Sequence, residues 1–192
     1  EKKVLLTFPD PLPNRSPLEM RIGNICDVDQ NCLRDTLIGF MRNEAVFGDV
    51  VFNEIMADPD PSIRLPEEEY LELFNSSDYA IDMNEWRLEV NSRTYSLSEL
   101  LPKTADSSKH FLNLEPSSYL VLKGMVLPNE KAILALYNEQ GSLVHGVSYQ
   151  VPWETMEWKK EGGWSLESPD PFLYCLVSNA WDYSSDPSGG TP

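Results

Sequence analysis

The 192-residue sequence sets 15 Lys and Arg against 31 Asp and Glu, a formal charge of −16. Such acidity leaves no electrostatic footprint for nucleic-acid phosphates or an anionic bilayer surface, and no apolar run reaches the roughly 18–20 residues that span a membrane. Yet hydrophobic residues make up 41%, with five Trp, eight Tyr and seven Phe, which excludes a disordered chain and supplies a core for one domain or one domain plus a fragment.

Taken in chain order, short apolar-alternating runs recur between turn signals, and no stretch sustains helical periodicity beyond two turns. The opening EKKVLLTFPD is not a signal peptide and starts inside an expected strand, Lys3–Phe8, so the sequence reads as a piece of something longer. Strands are then expected at Leu18–Ile25, Thr36–Arg42, Val50–Ile55, Tyr70–Asn75, Trp86–Val90 and Arg93–Leu97. Ser96–Leu101 follows as a single helical turn, and further strands fall at Ser118–Lys123, Ala132–Tyr137 and Leu143–Tyr149. Fifteen prolines punctuate the connections rather than the elements. Many short strands with irregular polar links predict an all-β, antiparallel β-sandwich. From Glu161 onward, Gly162-Gly163, Pro169, Pro171, Pro187 and Gly189-Gly190 predict an extended tail. That tail carries Trp164, Phe172, Tyr174, Trp181 and Tyr183, an aromatic density that predicts a strap laid along the domain.

Charge locates a boundary. Residues 1–47 hold six basic and seven acidic groups, whereas residues 48–78 hold nine carboxylates against Arg64 alone. The shift near Gly48 divides a segment 1–47 from a domain 48–192. Cys26 and Cys32 have neither zinc-knuckle nor redox spacing; they are either a local disulfide of an exported protein or two free thiols in a loop. Cys175 is then an unpaired, buried small hydrophobe.

Residues 50–75, VVFNEIMADPDPSIRLPEEEYLELFN, resemble the lamin tail domain of exported bacterial proteins. The matching positions are Asn53-Glu54-Ile55, then Glu69-Tyr70, Glu72-Leu73 and Asn75, followed by Ile81-Asp82 and Trp86 with Leu88. Glu85 stands where that family usually has Gly. Later landmarks are Ser118–Leu122, the Gly162-Gly163-Trp164-Ser165-Leu166-Glu167 box, and the ending Cys175, Trp181, Ser184 and Gly189-Gly190-Thr191-Pro192. The resemblance covers about residues 48–192 and implies an immunoglobulin-like fold. Residues 1–47 resemble the last strands of a bacterial immunoglobulin-like module, with NICDVDQN as its closing turn and Gln30 in the usual glycine position. Those strands are expected to use the second domain as a substitute partner, since an isolated hairpin is marginal in water.

The acidic stretch Glu54, Asp58, Asp60, Glu67, Glu68, Glu69 and Glu72 is where chemistry would reside. Alternation puts Glu69, Leu71 and Leu73 on one face and Tyr70, Glu72 and Phe74 on the other, so Glu54 and Glu72 approach across paired strands with Asp58 and Asp60 overhead. Glu54, Asp58, Asp60 and Glu72 are hard oxygen ligands suited to Ca²⁺, although no D-x-D-x-D-G loop fixes them. The plainer expectation is a solvated acidic loop with Glu54 and Glu72 capping backbone amides or meeting an Arg. His110 and His145 stand alone, His145 at a sheet surface, and G-x-S-x-G, H-E-x-x-H, P-loop and dinucleotide motifs are absent, so no enzyme and no catalytic residue is expected. Trp153, Trp158, Trp164, Trp181 and Tyr183 form either a stacking platform for sugars or an anchor for a peptide, or, as the aromatic composition favours, buried core closure. The resemblance implies a non-catalytic display, adhesion or docking module in a secreted, periplasmic or cell-surface protein. Its expected partners are a protein or a glycan and neighbouring domains of the same parent chain, with Glu54, Asp58, Asp60, Glu69, Glu72, Trp164 and Trp181 as binding residues. A Ca²⁺-assisted carbohydrate- or protein-binding module, or an accessory domain of an exported hydrolase, is the alternative.

Overall fold

The structure, a computed structural model, describes residues 5–101, 112–150, 159, 161–172 and 181–192. The chain forms two compact units, Glu1–Glu44 and Ala45–Pro192.

In the first unit, β1 (Pro17–Ile22) and β2 (Thr36–Met41) make an antiparallel hairpin in which Leu18 faces Phe40 and Met20 faces Ile38. β1 stops at Ile22, short of the expected Ile25, because Gly23 lies against Asp35 and Asn24 takes φ +58°. Cys26 and Cys32 form a disulfide around a turn tied by Asp27, whose Oδ1 accepts the amides of Asp29 and Asn31. Gln30 adopts φ +66° in that turn, the left-handed conformation that glycine takes at least cost. The expected strand at Lys3–Phe8 is corrected: Leu5–Phe8 form none, and the proline run after them removes the donors a ladder needs. Lys3 and Val4 lie outside the described residues.

The second unit is an antiparallel sandwich. Its first sheet orders β13 (Asp182–Tyr183), β12 (Leu166–Glu167), β3 (Val50–Met56), β4 (Tyr70–Asn75) and β9 (Tyr119–Lys123). The other orders β11 (Leu143–Gln150), β10 (Lys131–Tyr137), β6 (Arg87–Val90) and β7 (Arg93–Ser96). A small ladder pairs β5 (Ile81–Asp82) with β8 (Asn113–Leu114), and α1 (Leu97–Leu100) is the expected helical turn, burying both its leucines. Phe52, Leu71, Leu73 and Leu122 from one sheet meet Leu88, Leu134, Leu136 and Tyr149 from the other in the core. Glu85 adopts φ +59°, so the turn before β6 keeps the conformation of glycine without having one.

Two details of β3 and β4 decide which side chains leave the core. Every residue of β4 is buried, so both its faces are covered. In β3 the register slips between Phe52 and Glu54. Strict alternation would send Phe52 and Glu54 to the same face; the bulge at Asn53 resets the parity. Phe52 and Ile55 thereby both enter the core, while Glu54 faces the other way.

Candidate functional site

The bulge aligns three carboxylates in one row. Glu54 pairs directly with Glu72 on β4 and, on its other side, with Glu167 on β12. Like charges directly opposite across a ladder are unfavourable, so the row depends on what else reaches it. Glu54 is fully buried and accepts the Tyr70 hydroxyl at 2.6 Å, the Thr191 amide at 3.0 Å and the Thr191 hydroxyl at 3.3 Å. Glu72 accepts the Asn53 side-chain amide at 2.8 Å. Burial, then the Glu54 and Glu167 charges, push the Glu72 carboxyl up to about 7 against the pull of Asn53. Burial raises Glu167 too, aided by Glu54 and Asp186 and opposed by Ser184 and Lys159. The Tyr70 phenol is likewise raised by burial and by its bond to Glu54, so it stays a donor.

The C-terminal strap seals this row. Ser165 donates its amide to Gly189, Ser184 to Ser165, and Ser168 to Asn53, which lays the strap along the edge of β3. Gly190 is required where it stands: a Cβ there would lie 2.4 Å from Glu54 Oε1 and 2.6 Å from the Tyr70 hydroxyl. Gly162, at φ +108°, sits where a Cβ would meet the Asp60 carbonyl at 2.1 Å, and Gly163 donates its amide to Asp58 at 2.7 Å. The glycine box is therefore the surface on which the Asp58–Pro61 loop rests. With donors on Glu54 and the strap over it, Glu54 and Glu72 are buried, and Glu167 at the end of the row is half-buried.

The expected acidic residues fall into separate surroundings. Glu54 and Glu72 meet as expected and act as acceptors within the sheet. Asp58 bonds to Asn129, and burial followed by the nearby Asp60 charge raises its carboxyl. Glu69 accepts the Leu127 amide at 3.1 Å, and Asp60 is exposed. Among the described residues no group of three or more His, Cys, Asp or Glu side chains is disposed to hold a metal ion, so Glu54, Asp58, Asp60 and Glu72 do not converge on one.

Of the aromatic candidates, Trp164 is 8% exposed and carries the Lys159 ammonium 4.5 Å from its ring centroid. Trp181 and Tyr183 are half-buried against the core. Trp181 and Tyr183 thus pack on the core in the manner of core closure, and Trp164 is buried beside the strap. Trp153, Trp158, Tyr174, Cys175 and His110 lie outside the described residues. His145 is corrected from a surface position: it is buried on β11, and its Nδ1 accepts the Phe52 amide at 3.1 Å, beside the bulge. Sequence reasoning left three participants out of the site, namely Glu167, Thr191 and the donor role of Tyr70. The Gly-Gly pair beside Thr191 was the signal that could have found them, since small residues mark close approach.

A cleft of about 280 Å³ opens beside the sealed row, with Ile55, Ala57 and Leu166 among its apolar lining and Trp164 and Tyr183 as its aromatic walls. Asp58, Asn129, Glu130 and Lys159 also line it. The Lys159 ammonium is held by the Ser184 carbonyl at 2.6 Å.

A family model described as the lamin tail domain matches residues 43–150, more than half of the chain. The chain belongs to the lamin tail domain family. Searches of curated proteins and of solved structures returned no match. In this lamin tail domain the match spans β3 to β11, the immunoglobulin-like sandwich itself. The strap that seals Glu54 lies beyond the matched stretch.

Proposed function

We propose that this lamin tail domain is a non-catalytic structural and interaction module of an exported bacterial protein, displayed outside the cytoplasm. The observation that carries the reading is the sealed carboxylate row. The paired acids that would serve hydrolysis are spent on Tyr70, Asn53 and Thr191, and general acid–base work needs a carboxyl within reach of a substrate. The Cys26–Cys32 disulfide supports export, because such bonds persist in oxidising compartments. Neighbouring domains of the same chain and a protein ligand are its partners in this reading. Sugar stacking is less favoured, since Trp164 is buried and already covered by a cation.

Two measurements test the proposal. Maleimide labelling of protein taken from its native cells should leave Cys26 and Cys32 unmodified until a reductant is added; ready labelling of both would refute export. Chromogenic glycoside and phosphoester substrates should show no turnover above buffer. Turnover abolished by Glu72→Gln would overturn the non-catalytic reading.

A further inference from the structure

The cleft beside Trp164 has a composition that the sealed row does not explain. Its inner lining is apolar, two aromatic rings wall it, and Asp58 with Glu130 supplies negative charge. Among the described residues that line it, Lys159 is the one cation, and it is committed to the Trp164 ring and the Ser184 carbonyl. Among the described residues Asp58 has no cationic counterpart of its own; its carboxyl bonds to Asn129 and is raised by burial and by Asp60. Tyr183 is raised by burial and then by the charges of Asp58 and Asp182. At about 280 Å³ the cleft falls just below the roughly 300–1,000 Å³ of small-molecule sites. It is sized for one long side chain.

We propose that this cleft receives an arginine side chain presented by a basic segment of a partner protein, its guanidinium pairing with Asp58 beside the Tyr183 ring. The inference rests on the interaction-module reading and names the chemistry of the partner. Arginine fits better than lysine for a geometric reason. A planar guanidinium pairs bidentately with a carboxylate and stacks on an aromatic face, whereas an ammonium is a strongly hydrated point charge. The aliphatic stem has Ile55, Ala57 and Leu166 to cover it. A polypeptide rather than a free small cation is favoured by the surroundings, because the exposed Asp60 and Glu130 lie near Asp58 and complement a basic stretch.

The probe is a capped pentapeptide, Gly-Ser-Arg-Ser-Gly, titrated into the full chain by calorimetry and by tryptophan fluorescence. Citrulline and lysine versions serve as comparisons. The arginine peptide should bind saturably, the lysine peptide more weakly, and the citrulline peptide at least about tenfold more weakly, since one charge-assisted pair is lost. Asp58→Asn should weaken the arginine peptide by a similar factor while its melting midpoint stays near that of the parent. Glu130→Gln, at the exposed rim, provides a second charge removal in case Asp58→Asn unfolds. No saturation with the arginine peptide, equal binding of the citrulline or lysine peptide, or undiminished binding by both variants would overturn the proposal. Such a failure leaves thiol protection and absence of turnover untouched, so it removes the arginine cleft without removing the interaction module.

Discussion

Glu72 sits between two pressures, a sheet position that buries it and a neighbouring carboxylate on β3. Its carboxyl, at about 7 against an ordinary 4.5, keeps a proton in the folded protein at pH values where the unfolded chain has lost it. The stability so contributed is fully present below about pH 4.5 and is lost as pH rises through about 7, the opposite of a salt-bridged acid. Glu167, also raised, acts in the same sense. The melting midpoint is therefore expected to fall between pH 5 and pH 8, and Glu72→Gln to flatten that fall. An unchanged slope in the variant would place the titration elsewhere. Alternation along Glu69–Phe74 sufficed to read Glu72 and Tyr70 onto one face from the sequence. The bulge at Asn53 was not legible, because the sequence announces neither an inserted residue nor that the neighbouring Phe52 amide donates to His145 ninety-three positions away.

Among the elements, the strap is the one whose chemistry was half visible. Its aromatics and glycine pairs announced a segment laid on the sandwich. β12 and β13 did not show, since two residues give no alternation to detect. Their pairing is set by Glu54 and by glycines that allow the close approach. Gly190→Ala places a methyl against Glu54, Tyr70 and Ser165, and it should cost about 1–3 kcal/mol, the usual penalty for overpacking. Urea unfolding measures the loss, and limited proteolysis should cut the variant in the strap first. Parent-like stability in Gly190→Ala would mean that the strap does not hold this seat.

For the molecule as a whole, fold class followed from strand spacing and proline placement, which local sequence carries well. The pairing order of the two sheets did not, because non-local partners leave no local mark. Among the described residues the core cluster runs from Ala45 onward, within the second unit. A chain of residues 45–192 is accordingly expected to melt cooperatively. Residues 1–44, one hairpin and a disulfide spanning six positions, should show no cooperative transition by circular dichroism. A non-cooperative 45–192 would show that the unit is not self-sufficient. The seat of Thr191 on Glu54 also has a mechanical meaning. Tension applied through the two ends of this unit would load the strap, which meets β3 through two residue pairs, before β3 and β4, which share six. The strap would peel away first, releasing slack while the sandwich holds, and would bare a buried row of acids only while the protein is under load.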